Sequence, residues 1–335
     1  MPHPGPRNAI TDVPGLRVGH CTDMQVKSGV TVLLPDSAWE ASVDIRGGGP
    51  GVRETAALEP ENTVGIAHAI VLSGGSVFGL AAADGVVAAL SPYGVGLRLH
   101  PDTPAAPIVP AAVLYDLHNG GNKRWGDQSP YREFGKLALA AASRTFTQGA
   151  VGAGLGARAG TGPGGLGSVS LELGDGLVVG ALAVANPIGS ALMPDGETFW
   201  AWPFEIGGEF GARRPQGHVD CRDPIPELSR LAERGRLQPG ANTTLAVVAV
   251  NAKLSPGERK RVAMMAHDGI ARAVRPAHLP FDGDTVFVLA SGERELGEGN
   301  QRVVDLARIG AAAADCVARA IARGVYLARE GKSVS

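Results

Sequence analysis

The feature that most constrains the fold is a run of small and β-branched residues directly after an Asn-Thr bond. Residues 238–251 read Q-P-G-A-N-T-T-L-A-V-V-A-V-N, with a Pro-Gly turn ahead of the apolar run. This pattern predicts a buried strand that begins at Thr243. If the Asn242–Thr243 bond were cut, Thr243 would carry a hydroxyl nucleophile and a free α-amine that can serve as its base. On the tripeptide alone, a turn entering a strand is the favoured interpretation, and Asn-x-Thr is also a glycosylation sequon in secreted chains.

Composition limits the function classes. The chain has 335 residues, is 44% hydrophobic and carries a net charge of -2, which predicts a globular protein with a large core. Its 31 basic and 33 acidic side chains are interspersed, so we expect neither a nucleic-acid nor a membrane partner. The N-terminus lacks an apolar signal region, and no later segment reads as a membrane span, which predicts a cytoplasmic location.

The cysteines and histidines do not indicate a metal site. The three cysteines lie far apart without a C-x-x-C motif, and the histidines lack a spacing such as H-E-x-x-H. Gly152-x-Gly154-x-x-Ala157 fits a loose dinucleotide-binding fingerprint, but the glycines and proline that follow cannot open the required helix. We therefore expect neither a metal nor a cofactor.

Hydrophobic periodicity and turn signals predict alternating strands and helices. A glycine loop at 44–55 is interpreted equally well as a surface loop or as a functional one, and it lacks the Lys-Ser/Thr of a phosphate-binding loop. An Asp-Gly turn predicts a hairpin of strands 168–173 and 177–185, followed by an irregular segment at 190–239. The other predicted strands are 29–34, 67–72, 111–117, 244–251 and one within 281–290; the predicted helices are 77–90, 131–145, about 225–234, 255–274 and 300–329.

Asp282 and Asp284 stand two residues apart at the entrance of a predicted strand. If the segment is extended, both carboxylates point to one face. Close carboxylates cannot both ionise freely, so one pKa rises and the pair can hold a proton. Taken alone, a surface Asp-Gly-Asp turn is the favoured interpretation.

Six stretches in the same order resemble one family. The resemblance is to the self-processing hydrolases that include L-aminopeptidase/D-esterases, β-peptidyl aminopeptidases and nylon-oligomer endohydrolases, and it runs from about Asn8 to Val325. The stretches are I-T-D-V-P-G-L-R-V-G-H (10–20), G-G-G-P-G-V-R-E-T (47–55), L-S-G-G-S-V-F-G-L (72–80), V-A-N-P-I-G (184–189), A-N-T-T-L (241–245) and D-G-D-T-V-F (282–287).

The resemblance implies an α/β fold of one domain, residues 1–335, arranged as a four-layer αββα sandwich. Two central sheets would be covered by helices. It also implies self-cleavage between Asn242 and Thr243 into an α chain of residues 1–242 and a β chain of residues 243–335 that share a sheet. A homotetramer of αβ protomers is a further implication.

The same resemblance implies roles for individual residues. Thr243 is the expected nucleophile that forms an acyl-enzyme, with its α-amine as base, since such amines have a reference pKa of about 7.7 to 8. Asp282 and Asp284 would hold the nucleophile and the amine, and Asn186 would stabilise the oxyanion. Tyr115 would line the pocket. The implied substrates are short peptides, β-peptides or linear amide oligomers, with no metal or cofactor.

The sequence also departs from the family pattern. A threonine nucleophile with Asp-Gly-Asp is similar to the nylon-oligomer branch, yet that branch's catalytic lysine falls on Thr161. Slow processing, another cation such as Lys253 or Arg158, or different substrates are the alternatives that this departure leaves open. An unprocessed, non-catalytic protein that keeps the fold for small-molecule binding or assembly is the competing hypothesis.

Overall fold

Two stacked β-sheets form the centre of the molecule. A computed structural model describes residues 1–232 and 242–335, and all structural statements refer to these ranges. The strands are β1 (Leu16–Asp23), β2 (Ser28–Pro35), β3 (Trp39–Ile45), β4 (Val52–Arg53), β5 (Ile66–Ala67), β6 (Ile70–Ser73), β7 (Ala111–Val113), β8 (Arg158–Ala159), β9 (Gly162–Pro163), β10 (Gly165–Glu172), β11 (Val178–Asn186), β12 (Thr243–Ala252) and β13 (Thr285–Arg294); the helices are α1 (Ala81–Leu90), α2 (Tyr131–Ala140), α3 (Pro256–Ala273) and α4 (Asn300–Arg329).

The larger sheet has the strand order β10-β11-β12-β13-β3-β5. The hairpin of β10 and β11 confirms the strand pair predicted from the Asp-Gly turn. β12 and β13 run parallel, and α3 makes the crossover that parallel neighbours require. β12 is therefore a central strand, with β11 antiparallel on its other side.

The smaller sheet, ordered β1-β2-β6-β7-β4, stacks on the larger one. A core cluster between the sheets includes Leu33 and Leu72 from the smaller sheet and Val247 and Phe287 from the larger. α3 and α4 pack on the outer face of the larger sheet, and α1 and α2 cover the smaller sheet. The molecule is thus an αββα sandwich, as the sequence predicts.

The alternation of side chains along β12 fixes which way Thr243 points. Leu245 and Val247 lie in the core between the sheets, whereas Ala246 and Val248 lie in the cluster beneath the helices. Because successive strand residues face opposite sides, Thr243 faces the space between the sheets. It stands at the end of that space, where the apolar packing gives way to a cavity.

The predicted capping box at the start of α3 is confirmed. The Ser255 N–H donates to the Glu258 carboxylate at 2.7 Å, and the Ser255 side chain accepts from the Glu258 N–H at 3.4 Å. Pro256 occupies the first helical turn, where its missing N–H has no helical partner to lose. This cap sets the direction in which the chain leaves β12.

Several predicted elements have different bounds. The strand predicted at 67–72 is two short strands, β5 and β6, which belong to different sheets, and β3 was not predicted. The strand predicted at 111–117 ends at Val113, and the helix predicted at 131–145 ends at Ala140. Of the helix predicted at about 225–234, the described part is one 3₁₀ turn, Arg230–Ala232, and residues 233–234 lie outside the described residues.

One helical stretch, Ser76–Tyr93, is long and apolar enough by length and composition to cross a membrane. The sequence prediction that no segment meets this criterion is therefore wrong. Core helices of globular proteins pass the same test, and α1 within this stretch packs closely on α2. A Cβ added to Gly85 would lie 1.9 Å from the Arg132 carbonyl oxygen, so the two helices approach as near as glycine allows.

The irregular segment after β11 packs on the sandwich through an ion pair. Arg319 on α4 is 1% exposed and donates from Nε to Glu209 Oε1 at 2.6 Å and from Nη2 to Oε2 at 3.0 Å. The same guanidinium donates to the Ser170 carbonyl and to Asn8 Oδ1. This bidentate ion pair joins two parts of the chain on either side of the predicted cleavage point. Glu209 precedes that point, and α4 follows it.

Candidate active site

Four residues predicted to carry chemistry meet at one end of the larger sheet. Thr243 opens β12 and pairs in register with Asn186, the last residue of β11. Asp284 immediately precedes β13, and Asn242 forms a parallel bridge with Asp282. Strand ends from three parts of the chain therefore converge on the Asn242–Thr243 bond.

The Thr243 hydroxyl lies against the carbonyl group of the bond that precedes it. Thr243 is 2% exposed, and its Oγ1 donates to the Asn242 carbonyl oxygen at 2.5 Å. The Gly283 N–H donates to the same oxygen at 2.8 Å. A hydroxyl and a backbone N–H donor thus contact one carbonyl group, and these are the two kinds of group that acyl transfer at a carbonyl uses.

Gly283 is part of this site because it has no side chain. A Cβ at this position would lie 2.6 Å from Thr243 Oγ1 and 3.0 Å from the Gly49 carbonyl oxygen. Sequence reasoning treated Gly283 as a turn residue between two carboxylates and missed its backbone N–H. The Asp-Gly-Asp motif itself was recognised. A backbone N–H donor, however, cannot be identified from composition or residue spacing.

Asp284 is anchored by three N–H groups. Its Oδ1 accepts from the Thr244 N–H at 2.7 Å, and its Oδ2 accepts from the His278 N–H at 3.1 Å and from His278 Nδ1 at 2.8 Å. The side chain is 1% exposed. Because Thr244 follows the candidate nucleophile, Asp284 fixes the backbone from which the Thr243 hydroxyl projects.

Asp282 is buried beside a second carboxylate. Burial, with the charge of Asp284 adding to it, raises the pKa of Asp282 to about 7. The N–H groups of Leu279 and Ile188 donate to its two oxygens at 3.0 Å and 3.4 Å and oppose that rise. The two carboxylates are therefore not equivalent, and Asp282 can hold or release a proton near neutral pH.

This raised pKa predicts a pH-dependent loss of stability. The unfolded chain releases the Asp282 proton near the ordinary value of about 3.9, whereas the folded protein holds it to about 7. The folded state binds more protons in this window, so the contribution of Asp282 to the free energy of unfolding falls as pH rises from about 4 to about 7.

In an uncleavable Thr243→Ala chain, adding Asp282→Asn is expected to flatten this fall. Thermal melts of both chains across the window measure the difference in Tm, which should move in favour of the asparagine variant as pH rises. A difference in Tm that stays constant with pH would contradict the raised pKa.

Asn186 lies across from Thr243 and is fully buried. Its Oδ1 accepts from the Arg158 N–H at 2.9 Å, and its Nδ2 donates to the Tyr115 carbonyl at 3.4 Å. Paired residues of antiparallel strands have Cβ atoms about 5 Å apart. Asn186 and Thr243 are thus neighbours across the strand pair, and the Asn186 amide is held by Arg158 and Tyr115.

A cavity of about 350 Å³ opens at Thr243 between the two sheets. Tyr115 lines it, as predicted, and so does the glycine loop. The alternatives left open for that loop resolve in favour of a site role, since the Gly49 N–H donates to the Asp282 carbonyl oxygen at 2.8 Å. The lining residues are Gly49, Pro50, Gly51, Val52, Ser76, Val77, Leu80, Val113, Leu114, Tyr115 and Thr243.

Thr161 is not brought to the Thr243 cavity. It lines a separate cavity of about 190 Å³ with Ser190 and Leu228, and its N–H donates to the Leu228 carbonyl oxygen at 3.0 Å.

Lys253 was one possible replacement for the missing lysine, and its position in the structure does not fit this role. It follows the far end of the ten-residue strand β12, about 30 Å from Thr243, and it pairs with Glu295 at 2.6 Å.

Arginines lie nearer to the site than any lysine that the sequence analysis considered. Arg158 contacts Asn186 through its backbone N–H. Sequence reasoning missed Arg230, which is 6% exposed and whose Nη2 donates to the carbonyl oxygens of Asn186 at 3.2 Å and Pro187 at 2.7 Å. Arg230 thereby holds the turn that presents the Asn186 side chain.

Within residues 1–232 and 242–335, no three His, Cys, Asp or Glu side chains converge as a metal-binding group. Asp282 and Asp284 instead direct their oxygens to backbone and imidazole N–H groups. The prediction that the chemistry needs neither metal nor cofactor stays a prediction.

Solved structures share this fold. A beta-aminopeptidase from Burkholderia sp. superposes with a TM-score of 0.69 at 24% identity, over 97% of this chain and 88% of the other. An L-aminopeptidase D-Ala-esterase/amidase from Ochrobactrum anthropi, titled as a variant of the Ntn hydrolase fold, gives 0.64 at 21%, over 96% and 86%. The chain therefore has the fold of these two proteins. It belongs to peptidase family S58, whose model matches residues 8–334.

Curated relatives agree with this assignment. An uncharacterized aminopeptidase of Mycobacterium tuberculosis is 42% identical over 341 residues, which cover 96% of this chain and 94% of the relative. A 6-aminohexanoate-oligomer endohydrolase of Agromyces sp. is 29% identical over 296 residues, covering 85% and 75%. The chain is accordingly an amide-bond hydrolase.

Proposed function

We propose that the protein is a self-processing amide hydrolase whose nucleophile is Thr243, exposed by cleavage of the Asn242–Thr243 bond. One observation carries this proposal: the Thr243 hydroxyl and the Gly283 N–H both contact the carbonyl oxygen of that bond, at 2.5 Å and 2.8 Å. The hydroxyl is thus beside the only carbonyl whose cleavage would make Thr243 an N-terminal residue.

The proposed self-cleavage is an acyl shift followed by hydrolysis. Thr243 Oγ1 attacks the Asn242 carbonyl carbon, and the negative charge that develops on the oxygen is stabilised by the Gly283 N–H. The C–N bond breaks, the hydroxyl proton passes to the departing nitrogen, and an ester joins the two chains. Water then hydrolyses the ester to an Asn242 carboxylate and restores the Thr243 hydroxyl beside a free amine.

In the cleaved enzyme the same hydroxyl attacks a substrate amide. The α-amine of Thr243 accepts the hydroxyl proton, and Asn186 donates its amide N–H to the oxyanion. The leaving amine takes a proton, and water releases the acyl group. The relatives' names and the cavity at Thr243 support short peptides, β-peptides or linear amide oligomers as substrates.

Denaturing electrophoresis with intact-mass measurement tests the proposal. The 34.3 kDa chain is expected to give two fragments, and the smaller should begin at Thr243 and end at Ser335. A chain that stays whole while binding small amides without turnover would instead support the competing hypothesis of a non-catalytic binding protein. Thr161 in place of the expected lysine is the observation that favours this alternative.

Gly283→Ala is expected to slow self-cleavage by at least about 100-fold, since displacements near 1 Å at a reacting centre cost that much. The added methyl must push away either the Thr243 hydroxyl or the Gly49 carbonyl. Gly257→Ala is the control, because no atom lies within 4 Å of a Cβ at that helical position. Equal cleavage rates for the two variants, read from gel time courses, would rule out a close Gly283 contact.

The cytoplasmic location and the homotetramer of αβ protomers stay predictions. Light scattering of the purified enzyme measures the subunit number. A mass of one protomer would contradict the tetramer without affecting the proposed chemistry.

A further inference from the structure

His278 lies against the carboxylate that holds the candidate nucleophile. Its backbone N–H and its Nδ1 both reach Asp284 Oδ2, at 3.1 Å and 2.8 Å. A carboxylate oxygen can only accept here, so Nδ1 carries the proton. The His278 side chain is 22% exposed and that of Asp284 is 1% exposed, so the imidazole lies between the buried carboxylate and solvent.

A second histidine supports the ring of His278 from α3. The two rings meet edge to face with centroids 5.0 Å apart. His267 is fully buried, and its Nε2 lies 2.9 Å from the Asp44 carbonyl oxygen. That contact makes Nε2 the protonated nitrogen, and burial lowers the pKa of His267 to about 4, so this second ring is neutral near pH 7.

The charged groups around the histidine pair are few and identified. Asp44 contacts Arg46 at 2.8 Å and Lys260 at 3.7 Å, so its charge is already paired. Asp284 is contacted by no lysine or arginine side chain in the part of the chain that the structure describes. Among the described residues, His278 is therefore the residue whose side chain holds the Asp284 carboxylate, beside the backbone N–H groups of Thr244 and His278 itself.

We infer that His278 is a positioning residue for Thr243: its Nδ1–H and its backbone N–H hold the Asp284 carboxylate in place on the Thr244 N–H. This inference rests on the proposed function of Thr243 and extends it to a residue that neither the sequence motifs nor the register of the strands indicates. The chain of contacts runs from His278 through Asp284 and the Thr244 N–H to the backbone of the nucleophile.

The inference has a consequence that a merely structural role would not share. A hydrogen-bond donor at the place of Nδ1 should be sufficient to keep the Asp284 carboxylate fixed. A variant that retains such a donor should therefore cleave, and a variant that loses only the donor should cleave slowly.

Asparagine is the matched replacement at this position. His278 has a φ of 55°, a left-handed conformation that asparagine tolerates well. An asparagine amide can donate to Asp284 from about the place of Nδ1, so His278→Asn keeps both the donor and the backbone conformation. His278→Gly also keeps the left-handed conformation but removes the donor. His267→Gln is the control, since it keeps a donor to the Asp44 carbonyl and leaves His278 in place.

The experiment follows cleavage of freshly translated full-length chain at one pH, by gel densitometry. His278→Asn and His267→Gln are expected to cleave at close to the parent's rate, and His278→Gly roughly tenfold more slowly, as expected for the loss of one hydrogen bond to a carboxylate. A His278→Gly chain that cleaves at the parent's rate, or a His278→Asn chain as slow as His278→Gly, overturns the inference. Cleavage of a Thr243→Ala chain would instead overturn the proposed function.

Discussion

The Thr243→Ala chain is expected to run as one band of 34.3 kDa and to hydrolyse no amide substrate. Loss of the Oγ1 atom removes the group that contacts the Asn242 carbonyl at 2.5 Å. Enzymes that lose such a nucleophile slow by on the order of 10⁶-fold. Thr243→Ser keeps a hydroxyl at the same place and is expected to cleave.

The neighbouring threonine provides the control. Thr244 is fully buried, and its Oγ1 has no hydrogen-bond partner in the described ranges. Thr244→Val removes this unsatisfied hydroxyl without changing the shape of the side chain, so cleavage should proceed normally and stability should hold or rise. If Thr244→Val blocked cleavage and Thr243→Ala did not, the assignment of the nucleophile would be wrong by one residue.

Breaking the ion pair between Glu209 and Arg319 should have the largest effect on stability. Arg319→Met leaves the Glu209 carboxylate, which is only 6% exposed, without its ion-pair partner, and only the Asn8 amide still donates to it from a side chain. Removing one partner of a buried pair typically costs about 3–5 kcal/mol. Urea unfolding in the Thr243→Ala background, where the chain is continuous, measures the free energy of unfolding.

An exposed pair on the same molecule is the comparison. Lys253 and Glu295 lie 2.6 Å apart, with side chains 60% and 69% exposed. Lys253→Met is expected to leave the free energy of unfolding almost unchanged, because solvent screens an exposed pair. Similar losses for Arg319→Met and Lys253→Met would show that burial of the Glu209–Arg319 pair does not govern its contribution.

Much of the fold follows from local sequence rules. The β10–β11 hairpin is marked by its turn, α3 by its capping box, and β12 by its unbroken apolar run. The strand predicted at 67–72 fails because neighbouring residues pair with different sheets, a choice made by distant partners. β3 was not predicted, although Trp39, Ala41 and Val43 alternate with polar residues as in a half-buried strand.

The structure brings together four residues that the resemblance singles out: Thr243, Asn186, Asp282 and Asp284. Their catalytic roles stay predictions. The Gly283 donor belongs to the backbone, and the contact of His278 with Asp284 depends on a left-handed turn that brings the imidazole back to the strand. Neither a backbone N–H nor a tertiary turn produces a residue pattern, so sequence reasoning could not find them.

The position of β12 at the centre of the larger sheet affects how long the cleaved protein stays folded. A chain cut before Thr243 keeps that strand clamped between β11 and β13, so dilution should not separate the fragments. Once unfolded, however, the two pieces must find each other again, and refolding becomes a bimolecular search. Self-cleavage would thus make unfolding effectively irreversible. The lifetime of the cleaved enzyme would then be set by its rate of unfolding.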